Sequence, residues 1–143
     1  MKFIHTSDWH LGRQFHNVSL LDDQKSVIEQ LIQTIRDTPV DAVIVAGDIY
    51  DRSVPPTAAI ELLNRTVDVI CGELNTPMII IPGNHDGAKR LGFGATQMKR
   101  SGLHIISSFE EMLTPVILES ENAGSVAFYG MPYNDPEIVR HHF

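Results

Sequence analysis

The chain has 143 residues, of which 43% are hydrophobic, a single cysteine and a formal net charge of −7. This length and composition fit one globular domain and exclude an intrachain disulfide. The acidic balance argues against a simple basic nucleic-acid-binding module, because such modules bind phosphates through clustered Lys and Arg. The N-terminus turns polar too early for a signal peptide, and no apolar run reaches the ~20 residues of a membrane helix. We therefore expect a cytoplasmic protein without membrane contact.

The first half of the chain alternates strand-like and helix-like apolar patterns. Strands are predicted over residues 2–6, 42–46 and 78–81, with a helix over 20–38 and a second helix from about residue 57. Ser19 is the expected N-cap of the first helix, and Pro39 ends it. The residues expected to be buried on the two helices are Ile28, Leu31, Ile32 and Ile35, then Ile60, Leu63, Val67 and Ile70. The β-α-β-α-β order predicts parallel strands joined by right-handed crossovers.

The second half contains shorter elements. A helix is expected over 95–100, closed by Gly102, and strands over 103–106, 115–118 and 125–129. The last two strands are predicted to form a hairpin around the polar turn 119–124. Asp135 and Pro136 predict the N-terminus of a further helix that would be cut off at Phe143. Cys71 is expected to be a small core or boundary residue.

Three polar strings follow the three predicted parallel strands: Asp8-Trp9-His10, Gly47-Asp48-Ile49-Tyr50-Asp51 and Gly83-Asn84-His85-Asp86. A glycine lets the chain turn sharply at a strand end, and ligand sites of α/β sheets form at the carboxyl ends of their strands. A single Asp-x-His string is uninformative, but three such strings in this order predict one shared metal site.

The donor types indicate which metal would bind. Asp, Asn and His together suit manganese or iron better than a closed zinc site. Asp8 and His10, two residues apart at a strand end, are expected to point the same way and hold one ion. Asp48 has two oxygens and could bridge two ions about 3.5–4 Å apart, with Asn84 on the second ion.

Three neighbouring residues are candidates for other roles. His85 could protonate a leaving oxygen or stabilise the transition state, and the alternative is a structural turn histidine. Asp51 and Asp86 are interpreted as groups that fix loops and histidine tautomers, and a capping or Asx-turn role is the alternative. His5 and His104 lie inside predicted strands and are expected to be core or boundary residues.

These strings resemble the calcineurin-like metallophosphoesterase superfamily, whose pattern is D-x-H, G-D-x-x-D, G-N-H-[DE] and later histidine motifs. The wider segments His5–Gly12, 46–51 with Pro55-Pro56, and 130–133 resemble its SbcD-type branch of nuclease subunits. The resemblance covers essentially the whole chain. It implies an α/β fold, a layered sandwich of mixed sheets flanked by helices, of which residues 1–143 would be the first half.

The resemblance also implies a ligand set. Asp8, His10 and Asp48 would hold one ion, Asp48 and Asn84 the other, and His85 would be catalytic. The family completes both ions with histidines from a later Gly-His and a Gly-His-x-His, which are missing from this sequence. The adjacent His141 and His142 lack those glycines and are not expected to be ligands. We therefore expect the N-terminal part of a truncated nuclease domain, inactive by itself.

For the complete protein, the resemblance implies manganese-dependent DNA cleavage, both exonucleolytic and at hairpins, together with an SbcC-type ATPase partner in DNA repair and recombination. Water activated by two divalent metal ions would attack the phosphodiester. DNA contacts could come from Arg13, Lys89 and Arg90, and further along from Lys99 and Arg100; a solvated surface is the alternative. Apolar surface exposed by truncation would favour a homodimer.

Two other functions stay open at this point. One is a phosphatase or cyclic phosphodiesterase of the same superfamily. Against the protein phosphatases, Asp51-Arg52-Ser53 lacks their usual glycine after Asp-Arg, and Asp86 stands where they usually have Glu. The other is a non-catalytic assembly module.

Overall fold

A parallel sheet lies at the centre of the protein, whose computed structural model describes residues 1–121 and 123–142. The strands in chain order are β1 Phe3–Thr6, β2 Gln14–Phe15, β3 Val18–Ser19, β4 Ala42–Ala46, β5 Met78–Ile81, β6 Leu103–Ile105, β7 Val116–Ser120 and β8 Gly124–Phe128. The helices are α1 Leu21–Asp37, α2 Thr57–Val67, α3 Ala88–Leu91, α4 Ala95–Met98, α5 Phe109–Met112 and α6 Pro136–His142. A π-helical turn, Asp68–Glu73, continues α2, and a 3₁₀ turn, Lys99–Ser101, continues α4.

The central sheet confirms the predicted parallel strands. Its order is β1-β4-β5-β6, and every neighbouring pair is parallel. The strand β4 is an uninterrupted apolar run because it packs on both faces. Since the strands are parallel, the loops that follow β1, β4 and β5 all leave from one edge of the sheet. The three polar strings therefore meet at that edge.

Helices cover one face of the sheet and form the larger of two cores. Helix α1 buries Ile28, Ile32 and Ile35, with Leu31 partly buried, as its 3.6-residue apolar pattern predicts. The second helical segment buries Leu63 and Ile70, but Ile60 is 46% exposed, so the prediction that Ile60 is buried was wrong. The fully buried residues of α2 are the small Ala59 and Thr66, which allow the helix to approach the sheet closely. Ile60 lies next to this buried face of the helix and is therefore exposed.

The hairpin β7–β8 forms the second, smaller core. The two strands are antiparallel, which confirms the predicted hairpin, although Asn122 of its predicted turn lies outside the described residues. Val116 and Leu118 alternate with exposed residues and pack with Ala42, Ile79 and Ile106. The sheet therefore lies between two layers, in agreement with the expected sandwich.

Several details differ from the sequence predictions. The hairpin β2–β3 was missed: it turns through His16 and Asn17, both with positive φ, as a two-residue type I′ turn requires. Helix α1 has Leu20 rather than Ser19 at its N-cap, because Ser19 belongs to β3; the Ser19 hydroxyl still accepts the Leu21 amide. Short helices α3 and α5 were not predicted either.

The isolated histidines and the cysteine also have defined places. His5 is exposed, so the core or boundary role expected for it was wrong, whereas His104 is half-buried and burial lowers its pKa. Cys71 is buried as predicted, and burial raises the pKa of its thiol to about 11.

Asp135 accepts a hydrogen bond from the Glu137 amide at the start of the last helix, α6. Phe143, where this helix was predicted to be cut off, lies outside the described residues. Throughout residues 1–121 and 123–142, every helix is too short or too polar to cross a membrane.

The burial difference between Ile60 and Ile70 gives a stability prediction. We expect Ile70→Ala to lower the free energy of unfolding by about 2–5 kcal/mol, because the isoleucine is fully buried and its truncation leaves a cavity. Ile60→Ala is the matched control on the same helical segment and should cost less than about 1 kcal/mol. Urea denaturation of both variants measures this. Equal losses would show that Ile60 is buried after all.

Candidate metal centre

Main-chain hydrogen bonds hold the three polar strings together beyond the strands that carry them. The Asp8 amide donates to the Gly47 carbonyl at 3.0 Å, and the His10 amide donates to the Asp48 carbonyl at 2.9 Å. The Gly47 amide in turn donates to the carbonyl of Ile81, at the end of β5. The loops thus extend the parallel ladder by one or two residues, which fixes the distance between their side chains.

Three of the predicted ligands have left-handed backbone. The φ angles are 57° at Asp8, 44° at His10 and 50° at Asp48. The two side chains of Asp8 and His10 do approach each other as expected, but not through strand alternation, because neither residue has extended backbone. Left-handed conformations of non-glycine residues cost about 1–3 kcal/mol each and persist where the surroundings determine them. Such backbone is concentrated here at the site.

The side chains of Asp8, His10 and Asp48 converge. His10 Nε2 lies 3.9 Å from Asp8 Oδ1 and 3.8 Å from Asp48 Oδ2. These separations are too long for hydrogen bonds, yet one ligand atom from each residue falls within 4.8 Å of the others. Two carboxylates facing one imidazole nitrogen fit a divalent cation, which would neutralise their repulsion. These residues therefore suit the ion that the sequence predicts.

The other imidazole nitrogen of His10 faces Asp51. His10 Nδ1 lies 3.5 Å from Asp51 Oδ1 and is a buried nitrogen without a hydrogen-bond partner within the described part of the chain. His10, Asp51 and His85 make a second group of potential ligand atoms within 4.8 Å. Asp51 thus lies where a carboxylate can orient the imidazole of a ligand histidine, as the sequence interpretation requires.

His85 lies on the exposed side of this cluster. Its Nδ1 donates to the main-chain carbonyl of Asp51 at 2.9 Å, because a carbonyl can only accept; Nε2 is thereby left available. Its ring packs edge-on against the His10 ring, with centroids 4.8 Å apart. The Asp51 carbonyl, together with the charges of Asp48 and Asp51, raises the pKa of His85, while partial desolvation and Arg13 oppose this rise.

Asp48 lies between two loops. Its Oδ2 faces His10, while its Oδ1 accepts the main-chain amide of His85 at 3.0 Å. Asn84, the neighbour of that amide, has an exposed side chain. Gly83 packs so closely on Asp48 that a Cβ on Gly83 would overlap the carboxylate and the main-chain nitrogen of Asp48. This glycine is needed for close approach between the two loops.

Asp86 makes a different kind of contact from the other carboxylates. Its two oxygens accept the main-chain amides of Ile49 at 3.0 Å, Tyr50 at 2.9 Å and Gly83 at 2.8 Å. The carboxylate therefore ties the loop after β4 to the loop after β5, the kind of loop-fixing contact that the sequence interpretation gave to Asp86. Because its oxygens already accept three hydrogen bonds, Asp86 has few lone pairs left to bind a cation.

The basic residues proposed for DNA contact fall into two groups. Arg13 is exposed and close enough to His85 to oppose the rise of its pKa, and Lys89 is exposed on α3. Arg90 donates to the Ser53 carbonyl at 2.8 Å, which fixes it between two loops at the same edge. Lys99 and Arg100 immediately precede β6 and so lie at the opposite edge of the sheet. His141 is exposed on α6, and the His142 side chain lies outside what the structure describes.

Sequence reasoning missed two residues that support the site. The Ser7 hydroxyl donates to Asp8 Oδ2 at 2.5 Å. The Gln24 side chain, from α1, bonds to main-chain groups of the loop that carries His10. Gln24 occupies the same helical face as Ile28 and Ile32, so a polar residue within an apolar stripe was the available signal.

The Asp86 contacts predict a large effect on stability. We expect Asp86→Ala to lower the free energy of unfolding by about 2–4 kcal/mol, because three amides lose a charged acceptor. Glu61→Ala, which removes an exposed carboxylate on α2, is the control and should change it by less than about 0.5 kcal/mol. Denaturant titration of both variants makes the comparison. A loss below about 1 kcal/mol for Asp86→Ala would show that water replaces these bonds.

Comparison with known proteins agrees with this geometry. The sequence profile of the calcineurin-like phosphoesterase family matches residues 1–139. The chain is 40% identical over 133 residues to the SbcD component of the SbcCD nuclease of Staphylococcus saprophyticus; the match covers 93% of this chain and 34% of that protein. The chain thus spans about a third of the length of this relative. With its parallel sheet, its Asp and His cluster at the sheet edge and this match, the chain belongs to the calcineurin-like phosphoesterase family.

Proposed function

We propose that this chain forms part of a phosphoesterase that hydrolyses DNA phosphodiester bonds with two divalent metal ions. The observation that carries the proposal is the convergence of Asp8, His10 and Asp48 at one edge of the sheet, with His85 beside them. Family membership supports phosphoester hydrolysis, and the relative's designation as a nuclease supports a nucleic acid as the substrate. DNA in particular is proposed from the resemblance of the sequence motifs.

Each of the two proposed ions would have its own set of ligand residues. Asp8, His10 and Asp48 would hold one ion, and Asp48 and Asn84 the other, since Asp48 has one oxygen toward each loop. We expect Mn²⁺, because the donors are oxygens plus one imidazole. When bound, two divalent ions polarise the phosphodiester and make water a stronger nucleophile. Asp51 would keep the His10 ring oriented through Nδ1.

His85 is the proposed general acid. The Asp51 carbonyl fixes the proton of Nδ1, so Nε2 is the atom that can donate a proton to the leaving oxygen of a substrate. The edge-on contact with His10 sets the ring's angle above the proposed metal site.

Arg13, Lys89 and Arg90 are the proposed DNA contacts, because phosphates are bound mainly by Lys and Arg. The stretch from residue 87 to residue 98 carries two basic residues, Lys89 and Arg90, and no acidic one, in a chain whose net charge is −7. Arg90 is already oriented by the Ser53 carbonyl. Lys99 and Arg100 are left out of this surface, because they lie at the other edge of the sheet.

The partners are proposed on similar grounds. The relative is named as one component of the SbcCD nuclease, which supports an SbcC-type subunit as the partner. That this partner is an ATPase, and that the complex acts in DNA repair and recombination, follows only from the resemblance of the sequence motifs. Homodimerisation is supported by exposed apolar side chains such as Ile60 and the 82% exposed Phe93. The cytoplasmic location stays a prediction from the sequence.

The catalytic role of His85 can be tested in the full-length protein. We expect His85→Ala to lower cleavage of radiolabelled hairpin DNA by about 10²–10⁴-fold, because a general acid contributes roughly that factor. Mn²⁺ binding, measured by calorimetry, should remain, since His85 is not among the proposed ligands. His5→Ala, at an exposed histidine of β1, is the control and should keep full activity.

The same assay separates the competing functions. A wild-type protein that binds two ions and releases phosphate from phosphoproteins or cyclic nucleotides, but leaves DNA intact, would replace the nuclease proposal by a phosphatase or cyclic phosphodiesterase. A protein that binds no metal and cleaves nothing would leave a non-catalytic assembly module.

The 143-residue chain itself should bind Mn²⁺ weakly and lack nuclease activity. The proposed ligands supply three residues for one ion and two for the other, and the later histidine motifs of the family are not in this sequence. Calorimetric titration of Mn²⁺, beside Asp48→Asn, measures this. Asp48→Asn should abolish the remaining binding because Asp48 would contact both ions. Robust Mn²⁺-dependent cleavage by this chain would contradict the prediction.

A further inference from the structure

The side chain of Gln24 reaches from α1 to the loop that carries His10. Its Nε2 donates to the carbonyls of His10 at 2.7 Å and Trp9 at 3.1 Å, and its Oε1 accepts the Gly12 amide at 3.0 Å. All three bonds are partly buried. One side chain therefore satisfies three main-chain groups in four consecutive residues of this loop.

The partners of Gln24 fix the orientation of its amide. Two carbonyls can only accept and the Gly12 amide can only donate, so a flipped amide would lose all three hydrogen bonds. The Gln24 main chain is itself held in the first turn of α1, where its amide donates to the Leu20 carbonyl. The side chain thus links a rigid helix to the loop.

The loop needs this support because its backbone is unfavourable. His10 has a φ of 44°, which costs a non-glycine residue free energy. On one side, the amides of His10 and Leu11 donate to the carbonyls of Asp48 and Ile49. On the other side, the His10 carbonyl accepts from the Arg13 amide and from Gln24. Gln24 thus connects this loop to helix α1 through side-chain hydrogen bonds.

We infer that Gln24 is a positioning residue for the proposed metal site: it holds the backbone of His10 in the conformation that directs Nε2 toward Asp8 and Asp48. This inference rests on the proposed function and adds to it a residue outside the family's sequence motifs. Gln24 contacts neither the proposed ions nor the substrate position. It acts through the backbone of residues 9–12.

The test uses Gln24→Met, which keeps the side chain's length and its helix propensity but removes all three hydrogen bonds. We expect the amide signals of Trp9 and Gly12 and the ring signals of His10 to move in NMR spectra recorded without metal. The dissociation constant for Mn²⁺, measured by calorimetry on the full-length protein, should rise about tenfold, since this is roughly the net effect of one lost hydrogen bond on the conformation of His10. Gln30→Met, at an exposed glutamine of the same helix, is the matched control and should change neither.

A second variant keeps the inference testable if Gln24→Met fails to fold. Gln24→Glu keeps an acceptor for the Gly12 amide but loses the two donated bonds, so the His10 ring signals should move while the Gly12 amide stays protected from hydrogen exchange. Unchanged His10 signals and unchanged Mn²⁺ affinity in a folded Gln24 variant, even with reduced stability, would overturn the inference and leave a structural role only.

The outcome separates this inference from the proposed function. Absence of Mn²⁺ binding in the wild-type full-length protein would count against the metal proposal, and the His10 signals alone would then decide the role of Gln24. If they move in Gln24→Met and not in Gln30→Met, the positioning role stands without the metal. If they move in neither variant, it is overturned.

Discussion

The site depends on hydrogen bonds that continue the parallel ladder past the ends of its strands. Each loop is held to its neighbour by main-chain groups, from the Asp8 amide to Gly47 and from the Gly47 amide to Ile81. Main-chain bonds of this kind set the spacing of the loops, and the side chains of Asp86 and Gln24 add further support. Side chains at adjacent strand ends are therefore brought within a few ångströms before any ligand is present. The left-handed backbone at Asp8, His10 and Asp48 then turns the side chains toward each other.

The carboxylates at this edge fall into two kinds. Asp86 has its charge balanced by three main-chain amides and holds loops together. Asp8 and Asp48 face an imidazole at distances that leave oxygen atoms free of direct pairing with it. Asp51 combines both kinds of contact: its carboxylate faces His10, and its main-chain carbonyl accepts a hydrogen bond from His85. The carboxylates of Asp8, Asp48 and Asp51 thus face the imidazole of His10, whereas the carboxylate of Asp86 stabilises the scaffold.

The sequence predicted the sheet well and the loops poorly, for a physical reason. Short continuous apolar runs such as 42–46 are typical of strands buried on both faces, and their alternation with helical patterns predicted the parallel order. The loop conformation depends instead on contacts between residues far apart in sequence. Neither the left-handed φ of His10 nor the reach of Gln24 across fourteen residues is encoded in a local pattern. The same holds for Ile60, whose exposure is set by how closely α2 approaches the sheet.

The close packing of Gly83 on Asp48 has a consequence for redesign of this centre. A protein engineer who wishes to accommodate a different metal can exchange donor atoms most readily at Asp8 and Asn84, whose side chains are exposed at the sheet edge. The separation of the two loops cannot be changed in the same way, because any side chain at position 83 would overlap Asp48 and push the loops apart. The spacing between the loop of Asp48 and the loop of Asn84 therefore depends on Gly83, a residue with no side chain. Mutant libraries that vary only the metal ligands will leave this spacing unchanged.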